Sequence, residues 1–120
     1  MKRIGLVAHD KKKSEMVEWA SQNKLVLSAQ KLFATGTTGG EIIKATGLDI
    51  TLLKSGPLGG DAQLGAMIVE EQLDACIFFM DPLTALPHDV DVKALTRLAT
   101  LYNVPFACNR ATADAVLGGI

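Results

Sequence analysis

The stretch Ala75-Cys76-Ile77-Phe78-Phe79-Met80 limits the possible folds of this chain more than any other, because it is apolar at every successive position. A strand with one wet face alternates polar and apolar residues. One that is apolar throughout must be covered on both faces, the condition of a central strand in a parallel sheet lying between helices. Similar short blocks occur at residues 4–8, 31–34, 50–53 and 104–108. The intervals between them have helical spacing. Val92, Leu95, Leu98, Ala99 and Tyr102 form a one-sided stripe at three- and four-residue steps. A second helix is predicted from Asp61 past Leu64, Met67 and Ile68 towards a turn near Leu73, and a third around Met16, Val17, Trp19 and Ala20. A shorter helix over 39–46 should stop at Gly47, a residue suited to the left-handed conformation that ends helices. Strand and helix alternating in this way predict an α/β fold: a single-domain, doubly wound three-layer α/β/α sandwich with a five-stranded, mainly parallel sheet. At 120 residues the chain, 1–120, suffices for that one domain.

Several function classes are disfavoured. Twelve basic residues face thirteen acidic ones and are scattered, so no nucleic-acid footprint is expected. No apolar run approaches the roughly 18 residues of a membrane span. The N-terminus passes from Met1-Lys2-Arg3 directly into a strand-like block, without the apolar core of a secretory signal, which predicts a cytoplasmic protein. In the Lys11-Lys12-Lys13 run, Lys11 and Lys12 read as a solvated first helical turn. Cys76 and Cys108 lie inside apolar blocks and lack metal or redox spacing, so both are expected to be buried and structural, with neither metal nor cofactor.

Ligands of open parallel sheets bind beyond the carboxyl ends of the strands, where loops lead into helix N-termini. In this sequence every such exit is polar: His9-Asp10, then Thr35-Gly36-Thr37-Thr38-Gly39-Gly40, Ser55-Gly56, Asp81-Pro82 and Asn109. The TGTTGG segment offers hydroxyls and unhindered amides at a helix start, which suits a phosphate dianion. It has neither the lysine of a P-loop nor G-x-G-x-x-G spacing, which disfavours ATP and NAD and leaves a small phosphorylated metabolite. Ser55-Gly56 adds a second hydroxyl and amide, and Lys13 stands one turn beyond His9-Asp10, within reach of the same anion. Two carboxylate clusters remain. Asp61 follows Gly59-Gly60, glycines that would let backbone approach a ligand, and His88, Asp89 and Asp91 precede the striped helix. Asp61 or Asp91 could equally cap a helix, and Asp81 could cap a turn or orient His88.

Segments AHD at 8–10, ATGTTG at 34–39, SGPLGGD at 55–61, DPL at 81–83 and PHDVDVKAL at 87–95 together resemble the methylglyoxal synthase family. The match is collinear over nearly the whole chain. The resemblance implies a phosphate-eliminating lyase that takes dihydroxyacetone phosphate to methylglyoxal and inorganic phosphate. It assigns the general base to Asp61, places His88 and Asp91 beside the substrate oxygens, and puts Asp10 and His9 in the same pocket. It gives the phosphate to Lys13, Thr35, Gly36, Thr37, Thr38, Ser55 and Gly56. It further implies a homo-oligomer, commonly a hexamer, inhibited cooperatively by phosphate. There are two departures from the family pattern: Ala62 stands where relatives usually carry glutamine, and the chain stops at Ile120 where relatives continue into a tail that can bring a basic residue towards a phosphate site. On this reading the tail is absent. The alternative class is a non-catalytic metabolite-sensing module of the same fold, which would not need Asp61, His88 and Asp91 together. A cyclohydrolase-type domain is a third candidate, disfavoured by the standalone length.

Overall fold

The protein is described by a computed structural model covering residues 1–83 and 92–120. Its elements run β1 (Arg3–Ala8), α1 (Lys13–Gln22), α2 (Lys24–Ser28), β2 (Lys31–Thr35), α3 (Gly36–Thr46) and β3 (Ile50–Leu53). They continue with α4 (Gly60–Val69), β4 (Ala75–Phe79), α5 (Val92–Leu101), β5 (Phe106–Ala107) and α6 (Arg110–Gly118). Among the described residues the sheet order is β3-β2-β1-β4-β5, and all four pairings are parallel, one step beyond the mainly parallel sheet expected.

Side-chain alternation along the strands divides the core in two. Ile4, Leu6 and Ala8 of β1 and Ala75, Ile77 and Phe79 of β4 face one way, packing with Met16, Trp19, Ile42, Ala113 and Leu117. Val7 and Phe78 face the other way, against Leu64, Ile68, Leu95 and Ala99. Helices α1, α3 and α6 therefore cover one face, and α4 and α5 the other. The strand order reverses direction after β3, and the covering helices change face at the same point, as crossovers of a single hand require. Trp19, Phe78 and Phe79 are at most 1% exposed, and burying each such ring contributes about 2–3 kcal/mol.

Local chemistry sets the element ends. Gly47 takes φ 74° at the end of α3, the left-handed stop expected of it. Helix α3 starts at Gly36 rather than at 39, so Thr37 and Thr38 belong to its first turn. Helix α2 was not foreseen: it is only five residues long and leaves Leu25 and Val26 on the surface. On the outer face, Trp19 Nε1 donates to Asp114 Oδ1 at 2.8 Å and ties α6 to α1. Cys76 is fully buried, and desolvation pushes its thiol up to about 12, with neighbouring Cys108 adding to the effect. Cys108 departs from the expectation in being only partly buried, because it lies at the end of the edge strand. Among the described residues no helix is long and apolar enough to cross a membrane.

Candidate active site

The exits of β1, β2 and β3 converge on a cleft of about 200 Å³ at the carboxyl edge of the sheet. From β1 comes His9. Its amide donates to Phe79 O at 3.1 Å, extending the β1–β4 ladder, and its ring stands edge-on to Phe78 at 5.0 Å. Nδ1 accepts from the Asp81 amide at 2.9 Å, which makes Nε2 the nitrogen that holds the proton in the neutral ring. The histidine is 8% exposed, fixed by the two strands that flank it. Directly after it the chain makes a 3-10 turn, Asp10–Lys12, and enters α1 at Lys13, whose Nζ reaches Asp10 Oδ1 at 2.7 Å. The ammonium is thereby held at the cleft.

From β2 comes the first turn of α3. Thr35 is the N-cap residue in extended conformation and makes no side-chain cap bond, so the first-turn amides gain no acceptor from it. Gly36 N donates to Lys54 O at 3.3 Å, pinning the turn to the end of β3. Thr38 is 1% exposed, and its Oγ1 is the buried side-chain polar atom left without a hydrogen-bond partner among the described residues. The cause is positional. Thr46, late in the same helix, donates to Ile42 O four residues back, whereas four residues before Thr38 the chain is still strand. A buried hydroxyl in that state costs about 1–3 kcal/mol, and such sites call for an explanation by a missing partner.

From β3 comes Ser55, whose carbonyl accepts both Leu58 N and Gly60 N at 3.0 Å. The loop is folded so tightly that a Cβ on Gly60 would lie 2.0 Å from Lys54 O and 2.9 Å from the Thr35 methyl. At Gly60 the close approach that a missing side chain permits is to the chain's own Lys54 backbone, where approach to a ligand was expected. Asp61 follows in the first turn of α4 with Gly59 as the N-cap residue, so it is not the cap itself. It is half-buried, one residue from the Gly60–Thr35 contact.

The cleft gathers most of the residues singled out in the sequence. His9, Asp10 and Lys13 line one wall; Thr35, Thr37 and Thr38 the second; Ser55 and Gly56 the third. Gly36, bonded to Lys54, and Asp61 are not among the residues that line it. His88 and Asp91 lie outside the described residues, as does Asp89. Asp81 caps a turn, accepting from Leu83 N at 3.0 Å. Ala8 and Pro57 also line the cleft. Neither has polar chemistry to draw attention to it.

Residues 15–108 match the family model described as MGS-like domain. The methylglyoxal synthase of Proteus mirabilis is 58% identical over 116 residues, 97% of this chain and 76% of the relative. That of Agrobacterium fabrum is 57% identical over 115 residues, 95% of this chain and 91% of the relative. The chain belongs to the methylglyoxal synthase family. A crystal structure of a family member, methylglyoxal synthase from Elizabethkingia anophelis, matches with a TM-score of 0.94 at 51% identity, covering 97% of this chain and 76% of that one. In the present chain the cleft combines a cation, Lys13, with four hydroxyls and a helix N-terminus, the donor set that recognises a phosphate dianion.

Proposed function

We propose that this chain is a methylglyoxal synthase, a lyase that converts dihydroxyacetone phosphate to methylglyoxal and inorganic phosphate. The observation that carries the reading is Thr38, a buried hydroxyl with no hydrogen-bond partner among the described residues, at the start of α3 in a cleft shared with Lys13, Thr35 and Ser55. A phosphate oxygen supplies that hydroxyl with an acceptor. A volume of about 200 Å³ suits a three-carbon phosphate and is small for a nucleotide.

The chemistry divides between two holders. Phosphate is bound by the Lys13 ammonium, the threonine hydroxyls and the first-turn amides of α3, with Ser55 opposite. Asp61 takes a proton from the hydroxymethyl carbon next to the ketone, and the electron pair moves onto the carbonyl oxygen to give an enediolate. Preorganised donors stabilise that developing charge. His9 offers one through Nε2, and His88 is the other proposed donor. Positioned proton transfer contributes on the order of 10²–10⁴-fold. The enediolate electrons then expel the phosphate from the third carbon, breaking its C–O bond. Reprotonation of the resulting enol gives methylglyoxal. Atoms balance without water, since the substrate divides into product and phosphoric acid.

The test is release of inorganic phosphate from dihydroxyacetone phosphate by purified protein in the presence of a chelator. Asp61→Asn should lower kcat at least 10²-fold while inorganic phosphate still binds. A wild-type protein that releases no phosphate, or an Asp61→Asn variant with full activity, overturns the proposal.

A further inference from the structure

Lys54, at the end of β3, is held by its backbone in three ways. Its N–H donates to Gln63 Oε1 at 2.7 Å, its carbonyl accepts Gly36 N at 3.3 Å, and the same carbonyl abuts Gly60 so closely that no side chain fits between them. These partners belong to different parts of the proposed machinery. Gly36 opens the first turn of α3, where phosphate is bound; Gly60 and Gln63 lie in the first turn of α4, on either side of Asp61. The two helices pack on opposite faces of the sheet, α3 with α1 and α4 with α5. They share no core. Their starting turns meet through Lys54 and where Gly60 approaches the Thr35 methyl.

We infer that Gln63 is a positioning residue: through the Lys54 backbone it sets the angle between the phosphate-binding turn and the turn bearing Asp61, and so fixes how the enediolate partitions. This rests on the reading under Proposed function. An enediolate expels phosphate only when the C–O bond stands out of its plane, aligned with the π electrons. When that bond lies in the plane, expulsion stops, and a proton returns to the former carbonyl carbon to give glyceraldehyde 3-phosphate, an isomer of the substrate. No further reactant is needed. The outcome depends on where phosphate is held relative to the base, the relation that Lys54 and Gln63 fix. The two glutamine functions separate cleanly here, because only the carbonyl oxygen is used towards Lys54.

Two variants test this. Gln63→Leu removes the acceptor at similar size, and Gln63→Glu keeps an acceptor in the same place. Phosphate release and glyceraldehyde 3-phosphate formation, the latter by a coupled NAD-linked dehydrogenase, are measured from dihydroxyacetone phosphate. For Gln63→Leu, kcat for phosphate release should fall about tenfold, the value of one hydrogen bond, with KM moving less. The aldehyde phosphate should rise to a measurable share of turnover. Gln63→Glu should stay within about threefold of wild type, with methylglyoxal as its product. The inference is overturned if Gln63→Leu keeps the wild-type rate and product ratio, if its rate falls with no change in the ratio, or if Gln63→Glu is as impaired as Gln63→Leu. A wild-type protein that releases no phosphate would instead remove the reading on which it rests.

Discussion

Replacing Thr38 by valine should make the protein more stable in phosphate-free buffer and less responsive to phosphate. The Thr38 side chain is 1% exposed and its hydroxyl has no partner among the described residues, so folding strips it of water without return. Exchanging the hydroxyl for a methyl of nearly the same shape removes a penalty of about 1–3 kcal/mol, and the helix propensities of the two residues nearly cancel. A net gain of about 1–2 kcal/mol would raise the melting temperature by roughly 3–8 °C in a domain of this size. Phosphate changes the balance. At a hundred times its dissociation constant it stabilises wild type by about 2.7 kcal/mol. Loss of a hydrogen bond to a charged ligand, about 1.5–3 kcal/mol, weakens binding more than tenfold, so the variant at the same concentration gains no more than about 1.3 kcal/mol. Differential scanning calorimetry with and without inorganic phosphate measures both quantities. Destabilisation of Thr38→Val in phosphate-free buffer, or equal phosphate gains for the two proteins, would refute the argument.

Gly60→Ala should destabilise the protein by about 3 kcal/mol, since its methyl would meet Lys54 O at 2.0 Å, and the urea midpoint should fall with little change in slope. The side-chain hydrogen bond from Arg3, helped by the Arg3 amide, holds the Asp74 carboxyl below its ordinary 3.8. A depressed carboxyl contributes stability above its unfolded value and loses it as pH falls through the folded one. Asp74→Asn should therefore cost less than about 1 kcal/mol at pH 7, because Arg3 and Asp74 are 39% and 31% exposed. The difference between the two proteins should shrink below about pH 4 in denaturant titrations across that range.

The central strands were legible because burial on both faces leaves a compositional mark: every residue of β4 is buried, as its uninterrupted apolar run requires. The edge was harder. The block at 104–108 yields only Phe106–Ala107 as strand, although Cys76 N still bonds to Pro105 O and Met80 N to Cys108 O on either side. The block therefore lies along β4 as expected, and its ends were blurred by having a single neighbour. The polar exits of β1, β2 and β3 could be read as a shared site because parallel strands bring all their carboxyl ends to one edge. Local sequence does not encode the contact of Gly60 with Lys54, nor the bond from Lys54 to Gln63; both depend on how closely two loops meet in space. The polar strand exits marked His9, Thr35 and Ser55 as parts of one cleft, and packing determined their spacing.

The order in which the strands lie has a consequence for synthesis. β1 leaves the ribosome before the other four described strands, yet it ends in the middle of the sheet, and its second neighbour β4 begins only at residue 75. Until that stretch emerges, the nascent chain carries an open, apolar β1 flank that can pair with another unfinished chain. A cell making this enzyme quickly must therefore shield its early half, and slow decoding between β3 and β4 would lengthen the period of greatest aggregation risk.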